Sequence, residues 1–312
     1  MHTYKLGRIL SAGQERGVIA TATHHIDIGL ALADERLSDV QAVLNRWFEL
    51  EPRLAAIAED PPHKAILEGD IDLLAPLAPR SIICAGANYK DHLMEMLAAR
   101  GVDVSNWSRN PEARPWFFLK SIGCVAAPGQ DVSIANFDWN IDWEVELAAV
   151  IGRTTRRVTP SNALDNVAGY TVANDLSARG RLKRSDAADG SPFVFDWVGH
   201  KVFDGSCPLG PWMLPASQVP DPQNMRLGLS VNGETMQDSN TSDMIFSLAE
   251  QIAEISATLT LQPGDIILTG TPAGVGTGRG QFLKNGDLVE ATIDGIGTLK
   301  NRVVLADDPA IA

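Results

Sequence analysis

The sequence predicts an α+β protein, made mainly of short strands and turns, with a small α/β unit at its N-terminal end. In the larger part of the chain, glycines interrupt short apolar runs, which is typical of strands joined by tight turns. Examples of these glycines are Gly152, Gly169, Gly264 and Gly286. One clear helical pattern stands among them, from about 243 to 258. Because strands and helices do not alternate regularly, we predict curved mixed sheets instead of repeated βαβ units.

The N-terminal unit combines a predicted hairpin with predicted helices. Residues 4–10 and 15–21 are strand-like and flank a turn at 11–14. Residues 28–33 and 37–47 carry apolar side chains at three- and four-residue spacing, which favours helix. A strand pair followed by helices is the pattern of a small α/β domain.

A domain boundary is predicted between this unit and the rest of the chain. Pro61 and Pro62 break the helical pattern, because proline lacks the backbone N–H that a helix needs. Residues 74–79 contain two further prolines and have the composition of a linker. We therefore predict an N-terminal domain at 1–77 and a larger domain at 78–312.

Composition and charge restrict the function. With 45% hydrophobic and 21% charged residues, the 312-residue chain has an ordinary globular composition. A net charge of −13 argues against nucleic acid or an anionic membrane as partner. No apolar run is long enough to span a membrane, and the start lacks the pattern of a signal peptide. We therefore expect a cytoplasmic protein whose partner is a small molecule.

Cysteine usage agrees with a reducing compartment. Cys84, Cys124 and Cys207 are odd in number and widely spaced, without a CxxC pair. This spacing predicts neither a disulfide framework nor a zinc motif. We interpret the three thiols as small core side chains.

An acidic segment is the first candidate for a metal site. Asp142, Glu144 and Glu146 alternate in front of the apolar run 147–151. On a strand, alternate side chains point to the same face, so the three carboxylates would converge and repel one another. Mg²⁺ or Mn²⁺ would relieve this repulsion, since both prefer carboxylate oxygens. An edge strand with a solvated acidic face explains the spacing equally well.

Two other segments add acidic and basic groups. Asp175 follows the strand-like residues 167–173, at the strand end where a ligand often lies. A helix N-cap is the commoner role of aspartate at such a junction. His92 and Glu95 are three residues apart, so on a helix they share a face. They would form either a carboxylate–imidazole pair that acts as a general base or an ordinary pair on the surface.

A glycine-rich segment and a lysine complete the candidates. Residues 264–276 lack the Gly-Lys-[Ser/Thr] ending of a phosphate loop, and we interpret them as a strand entering a tight turn. Thr269, Thr271 and backbone N–H groups there would suit an anionic ligand, although a purely structural turn is an equal alternative. Lys201 would bind a substrate carboxylate or simply extend to solvent.

Taken together and in this order, these segments resemble the fumarylacetoacetate hydrolase family. The resemblance extends from about Ile82 to Val304. It rests on residues 86–92, 117–121, 142–147, 169–179, 201–204, 231–234 and 264–276. It implies a mixed β-roll catalytic domain, a homodimer, and bound Mg²⁺ or Mn²⁺.

The resemblance also implies roles for particular residues. Glu144, Glu146 and Asp175 correspond to the metal ligands, and Asp142 to a neighbour of that set. His92 and Glu95 correspond to a general-base pair on a lid segment, and Lys201 to the residue that faces the substrate. The residues implied to contact substrate oxygens are Arg179, Thr271, Lys120 and Tyr89.

Two departures place the chain within the family. Ala85 stands where the animal hydrolase has a fourth metal carboxylate, so the chain resembles the three-carboxylate branch. That branch often has Ala-Arg-Asp-x-Gln after the third ligand, whereas this chain has Ala-Arg-Gly-Arg-Leu at 178–182. An acid and an amide that commonly line the pocket are therefore replaced.

The expected reaction follows from this branch. We predict metal-dependent hydrolysis of a C–C bond in a 2,4-diketo acid of the acylpyruvate or fumarylpyruvate type. The alternative is a lyase, hydratase or isomerase on a related 2-oxo acid, such as oxaloacetate, 2-hydroxymuconate or 2-oxoheptenedioate. A non-catalytic binding protein would require a failed site, against which the full set of candidate residues argues.

Overall fold

The computed structural model describes residues 3–67, 71–99, 101–105, 107–188 and 190–307. The strands in these ranges are β1 (Lys5–Ser11), β2 (Gln14–Ala20), β3 (His25–Asp27), β4 (Ile66–Leu67), β5 (Asp72–Leu73), β6 (Ile82–Gly86), β7 (Trp116–Lys120), β8 (Val125–Ala126), β9 (Val132–Ile134), β10 (Ile141–Asp142), β11 (Val145–Ile151), β12 (Val167–Asn174), β13 (Ser177–Ala178), β14 (Cys207–Pro215), β15 (Arg226–Val231), β16 (Glu234–Asn240), β17 (Ile266–Leu268), β18 (Leu288–Ile293) and β19 (Gly297–Leu305). The helices are α1 (Ile28–Leu32), α2 (Val40–Leu44), α3 (Trp47–Glu59), α4 (Lys90–Ala98), α5 (Pro160–Ala163), α6 (Trp197–Lys201), α7 (Leu248–Thr258) and α8 (Gly276–Arg279).

The strands form two main sheets that mix parallel and antiparallel pairs. The larger has the order β4-β3-β2-β1-β14-β12-β11-β17-β6-β7, with β5 on β1 and β8 on β14. The smaller has the order β16-β15-β18-β19-β9, and β10 pairs with β13 separately. The sheets are open, and the predicted α+β class with mixed sheets is confirmed.

The N-terminal strands extend the large sheet. β1 pairs with β2 on one side and with β14 on the other, where Leu6 lies opposite Met213. Backbone hydrogen bonds thus join the N-terminal unit to the rest of the molecule. The domain boundary at 77/78 remains a prediction.

β11 is buried on both faces, which explains its unbroken apolar sequence. Leu147, Ala149 and Ile151 belong to a core that lies between the two sheets and includes helix α7. Ala148 and Val150 belong to a second core, which includes helices α2 and α3. A strand between two apolar layers has no solvated face, so it shows no polar alternation.

The predicted N-terminal hairpin is confirmed, whereas the helix predicted at 37–47 is wrong in extent. The helical segment there, α2, spans only Val40–Leu44, and a longer helix, α3, begins at Trp47. Between them the backbone of Arg46 leaves the helical region, with φ −123° and ψ 24°. Apolar spacing continues across this break, so periodicity alone could not reveal it.

The long helix predicted from about 243 begins later, at Leu248. Ser247 caps it: its side chain accepts from the backbone N–H of Glu250, and the Glu250 carboxylate accepts from the Ser247 N–H. Asp243 instead ends a 3-10 turn. A Ser-x-x-Glu capping box is a stronger start signal than an isolated acid.

Residues 101–105 and 107–115 belong to a loop without helix or strand; residues 100 and 106 lie outside the described ranges. Arg109 attaches the loop to the start of α7. Its guanidinium is 2.8 Å from Glu250 and lies over the Phe246 ring. Within the part of the chain that the structure describes, no helix is long and apolar enough to cross a membrane.

Candidate active site

Three carboxylates meet where β11 begins and β12 ends. Val145 of β11 lies opposite Asn174 of β12, and the Asp175 N–H donates to the Glu144 carbonyl at 2.8 Å. This pairing brings one carboxylate oxygen from each of Glu144, Glu146 and Asp175 within 4.8 Å of the others, and all three residues are buried. The sequence-predicted metal ligands are therefore assembled in one place. Asp175 is not a helix N-cap, because the short strand β13 follows it.

Two amides hold the acidic segment in position. The backbone N–H of Glu144 donates to Asn174 Oδ1 at 2.9 Å, and that of Val145 donates to Gln237 Oε1 at 3.0 Å. These bonds satisfy buried backbone donors at the entrance to β11. Sequence reasoning did not identify Gln237, because it lies on β16, far away along the chain.

Asp142 does not join the carboxylate cluster that Glu144 and Glu146 form with Asp175. It accepts from the backbone N–H groups of Gly276 and Thr277 at 2.6 and 3.0 Å, from the Thr277 hydroxyl, and from Arg179 Nε at 2.8 Å. Both of its oxygens are thus occupied by protein donors. This agrees with the expectation that Asp142 is a neighbour of the ligand set.

Two buried cations, Lys120 and Lys201, and the half-buried Arg179 surround the carboxylates. Lys201 Nζ lies 2.8 Å from Glu144 and 2.7 Å from Asp175. Lys120 Nζ lies 2.6 Å from the other oxygen of Asp175. Arg179 bridges Asp142 and Glu144 with two of its nitrogens.

The charge balance of this cluster fits a divalent cation. Four carboxylates, with Asp142 included, face three cations, which leaves one negative charge uncompensated. Burial, together with repulsion from Asp175 and Glu144, raises the pKa of Glu146 well above its usual value. Burial opposes ionisation of Glu144 too, but Lys201 and Arg179 lower its pKa. A hard cation held by Glu144, Glu146 and Asp175 would offset the repulsion among these carboxylates and favour the charged form of Glu146. The net charge of the cluster would then be positive.

His92 and Glu95 are brought together on helix α4, as predicted. The distance from His92 Nδ1 to Glu95 Oε2 is 3.6 Å, slightly beyond hydrogen-bond length. Contact with His92, and then with the Gly274 N–H, lowers the pKa of Glu95. A charged carboxylate beside Nδ1 favours the tautomer in which Nε2 is free to accept a proton.

A cavity of about 570 Å³ joins these groups. Its polar lining comprises His92, Glu95, Glu144, Glu146, Arg179, His200, Lys201, Thr271 and Thr277. A small anion that entered it would thus meet the predicted base, the carboxylate centre and two cations together.

Of the four residues predicted to contact substrate, two line the cavity and two do not. Arg179 and Thr271 line the cavity, but the Thr271 hydroxyl already donates to the Val145 carbonyl at 2.9 Å. Lys120 and Tyr89 are not part of the described lining. Lys120 also donates to the carbonyls of Leu176 and Lys201, at 3.1 and 2.5 Å. Substrate binding by these residues stays a prediction, and the contacts of Lys120 favour an internal role.

The glycine-rich loop after β17 holds a carboxylate. The Gly270 N–H donates to Glu146 Oε2 at 2.7 Å. Gly270 has φ +96°, and a Cβ there would lie 2.8 Å from the Asn88 Cβ, so only glycine fits. This backbone donor therefore serves the predicted metal ligand, not a phosphate.

Sequence reasoning identified neither His200 nor the aromatic side chains that line the cavity. His200 Nδ1 is 3.0 Å from the Ala178 carbonyl, and burial, aided by Lys201, lowers its pKa to about 4. Trp116, Phe118 and Trp197 line the same cavity. Trp116 and Phe118 alternate on β7, a signal that would have placed them on one face.

The fold and the carboxylate centre define the class of protein: open mixed sheets that enclose a cavity with three buried acids at one end. The family model described as fumarylacetoacetate (FAA) hydrolase, C-terminal, matches residues 81–304. The chain belongs to the fumarylacetoacetate hydrolase family, and its relatives identify it as an enzyme.

Relatives with two kinds of activity resemble the chain. Human mitochondrial oxaloacetate tautomerase FAHD2B is 39% identical, over 75% of this chain and 70% of its own length. Oxaloacetate tautomerase YisK of Bacillus subtilis is 35% identical, over 88% of this chain and 95% of its own. A 2,4-didehydro-3-deoxy-L-rhamnonate hydrolase of a Sphingomonas species is also 35% identical, with 88% and 91% covered.

Solved structures agree over nearly the whole chain. A fumarylacetoacetate hydrolase of Exiguobacterium antarcticum has 31% identity and a TM-score of 0.78, with 97% of this chain and 100% of that chain covered. A Sphingobium maleylpyruvate hydrolase, in complex with manganese(II) and pyruvate, has 28% identity and a TM-score of 0.72 at the same coverage. Together with the carboxylate centre, that complex supports metal binding.

Proposed function

We propose that this enzyme uses Mg²⁺ or Mn²⁺ to interconvert the keto and enol forms of an enolisable 2-oxo acid, the class to which the oxaloacetate of its named relatives belongs. The observation that carries the proposal is the shared cavity: two of the three clustered carboxylates, Glu144 and Glu146, and the buried imidazole of His92 line it. Several relatives are named oxaloacetate tautomerases, and they support this isomerase alternative over the hydrolysis first expected.

The chain's own residues provide anchoring and proton transfer. Glu144, Glu146 and Asp175 would hold the cation, which would supply Lewis acidity toward the oxygens of the substrate. Arg179 uses Nε and Nη2 on Asp142 and Glu144, and among the described residues its Nη1 has no partner. Nη1 can therefore donate to a substrate carboxylate.

His92 is the proposed base. It takes a proton from C3 of the keto form and returns it to the C2 oxygen, directly or through water, so the C2–C3 double bond forms and the base is regenerated. Lys201 is assigned a different role. Its ammonium lies 2.8 Å from Glu144 and 2.7 Å from Asp175. Burial opposes its charge, but these two carboxylates raise its pKa above the usual value. We therefore assign Lys201 to stabilise charge that develops on oxygen, not to act as the base.

C–C hydrolysis of a 2,4-diketo acid is the second candidate. The pairing of Glu95 with His92 favours it, since a carboxylate–imidazole pair suits the activation of water. The rhamnonate-type and maleylpyruvate hydrolases support it among the relatives. Release of pyruvate from acetylpyruvate would distinguish this reaction from tautomerisation, which releases nothing.

The test is tautomerisation of oxaloacetate, followed by ultraviolet absorbance with Mn²⁺ and with EDTA. We expect His92→Ala to keep Mn²⁺ affinity but lose turnover by about 100-fold or more, as removal of a general base does. Glu144→Ala should lose Mn²⁺ binding in calorimetry. His63→Ala, at an exposed histidine, is the control and should match the wild type. A fully active His92→Ala enzyme would disprove the assignment of the base.

The assembly is a separate proposal. The family resemblance supports a homodimer that binds a small anionic oxo acid. Sedimentation equilibrium gives the mass of the particle directly, and a monomer at micromolar concentration would contradict this proposal.

A further inference from the structure

The cavity changes character away from the carboxylate centre. There its wall is aromatic: the ring centroids of Trp116 and Trp197 are 4.8 Å apart, and Phe118 stacks on Trp197 at 5.9 Å with an interplanar angle of 29°. Phe195 and Leu182 add further apolar surface. Trp116 and Trp197 are 48% and 39% exposed, so their rings are available to a ligand.

This aromatic wall begins directly beside the charged groups. Lys201 Nζ is 5.2 Å from the centroid of Phe118. Lys201 and Trp197 lie at the two ends of the short helix α6, and the edge of His200 meets Trp197 at 5.7 Å. A substrate that is anchored at the carboxylate centre would therefore place its remaining atoms against these rings.

The wall does not suit a second carboxylate. Among the described residues that line the cavity, the only lysine and arginine are Lys201 and Arg179. Lys201 contacts Glu144 and Asp175, and Arg179 retains only Nη1, which the proposed function assigns to the first carboxylate. A second carboxylate against the rings would lose hydration without gaining a cation.

We infer that the preferred substrate is a 2-oxo acid that carries a planar apolar group on C3, aryl or conjugated, in place of a second carboxylate. The inference rests on the proposed function for the identity of the substrate end that is anchored at the carboxylate centre. The chemistry of the substrate's distal end follows from the aromatic wall alone. Offset or edge-on contact with Trp116 and Trp197 would favour a flat group over a branched aliphatic one.

Binding of unreactive analogues tests this preference apart from catalysis. Phenyllactate and malate are 2-hydroxy acids that cannot enolise, and they differ in the group of interest. In calorimetry with the Mn²⁺-loaded enzyme, we expect phenyllactate to bind about tenfold more tightly than malate, the discrimination that one apolar group gives. In turnover, phenylpyruvate should exceed oxaloacetate in kcat/KM by a similar factor.

Variants on two different secondary-structure elements provide independent tests, in case one substitution disturbs the local fold. Trp197→Ala on α6 and Trp116→Ala on β7 should each reduce the preference for phenyllactate to within about twofold, since each removes part of the ring surface. Phe48→Ala, at an exposed ring in α3 outside the cavity lining, should leave it unchanged.

The outcomes separate the two proposals. Malate binding as tightly as phenyllactate, or a preference that survives both tryptophan substitutions, would overturn the inference. If neither oxo acid is turned over while the phenyllactate preference holds, the proposed function fails and the aromatic site stands.

Discussion

Replacement of Lys120 by methionine would decide whether this lysine binds substrate or supports the site from within. Its side chain has no exposed surface, and its ammonium lies 2.6 Å from Asp175. The remaining contacts are the carbonyls of Leu176 and Lys201. Methionine has a similar shape but no charge and no donor, so the substitution removes only these contacts.

The magnitude follows from burial. Loss of one partner from a buried ion pair destabilises a protein by about 3–5 kcal/mol, because the other charge is left unpaired. Here Lys201 also contacts Asp175 and retains part of its compensation, but two buried carbonyls lose a donor. We therefore expect Lys120→Met to lower the free energy of unfolding by about 3 kcal/mol or more.

Urea denaturation with linear extrapolation measures this loss. Lys300→Met is a matched control, because Lys300 is also 2.6 Å from a carboxylate, that of Glu290, but is 58% exposed. Exposed pairs contribute about 1 kcal/mol at most, so this variant should be nearly as stable as the wild type. An equally small loss in Lys120→Met, together with a raised KM, would refute the internal role and support substrate binding.

Two further predictions concern charge and pH. Glu146→Gln should be at least as stable as the wild type without metal at about pH 8, because ionisation of a group with a raised pKa costs stability as pH rises. The same variant should lose the increase in Tm that Mn²⁺ gives, and an unchanged increase would show that Glu146 is not a ligand. The pKa of His200 falls from 6.5 to about 4 on folding, so the unfolded chain takes up the proton first and stability declines as pH falls through this window. In denaturation at a series of pH values, His200→Gln should remove up to about 1.4 kcal/mol per pH unit of that decline; identical slopes would contradict the assignment.

Much of the carboxylate centre, the candidate metal site, could be predicted because it depends on local geometry. Side chains alternate along any strand, so the spacing of Glu144 and Glu146 alone places both on one face. Asp175 was predicted at a strand end from the apolar run before it, and the structure puts it directly after β12. His92 and Glu95 follow from the three-residue spacing of a helix face.

The same reasoning could not foresee which carboxylate leaves the set. Alternation puts Asp142 beside Glu144 and Glu146, but the chain is not a regular strand between β10 and β11. Backbone donors at Gly276 and Thr277, remote in sequence, bind Asp142 instead. The role of Lys120 could not be predicted either. No local pattern distinguishes a buried lysine that pairs with a carboxylate from a lysine that contacts a ligand.

The class of fold, the family, and the carboxylates, histidine and lysine of the candidate site could all be predicted from the order of the residues. The charge balance among these groups and the other residues that border the cavity became known only from the folded arrangement. Pairing of β11 with β12 sets the distance from Glu144 to Asp175, and the placement of β7 and α6 brings the aromatic wall to that centre. Side-chain direction is a property of a few successive residues. Distance between segments depends on sheet register and core packing, which many distant residues fix together.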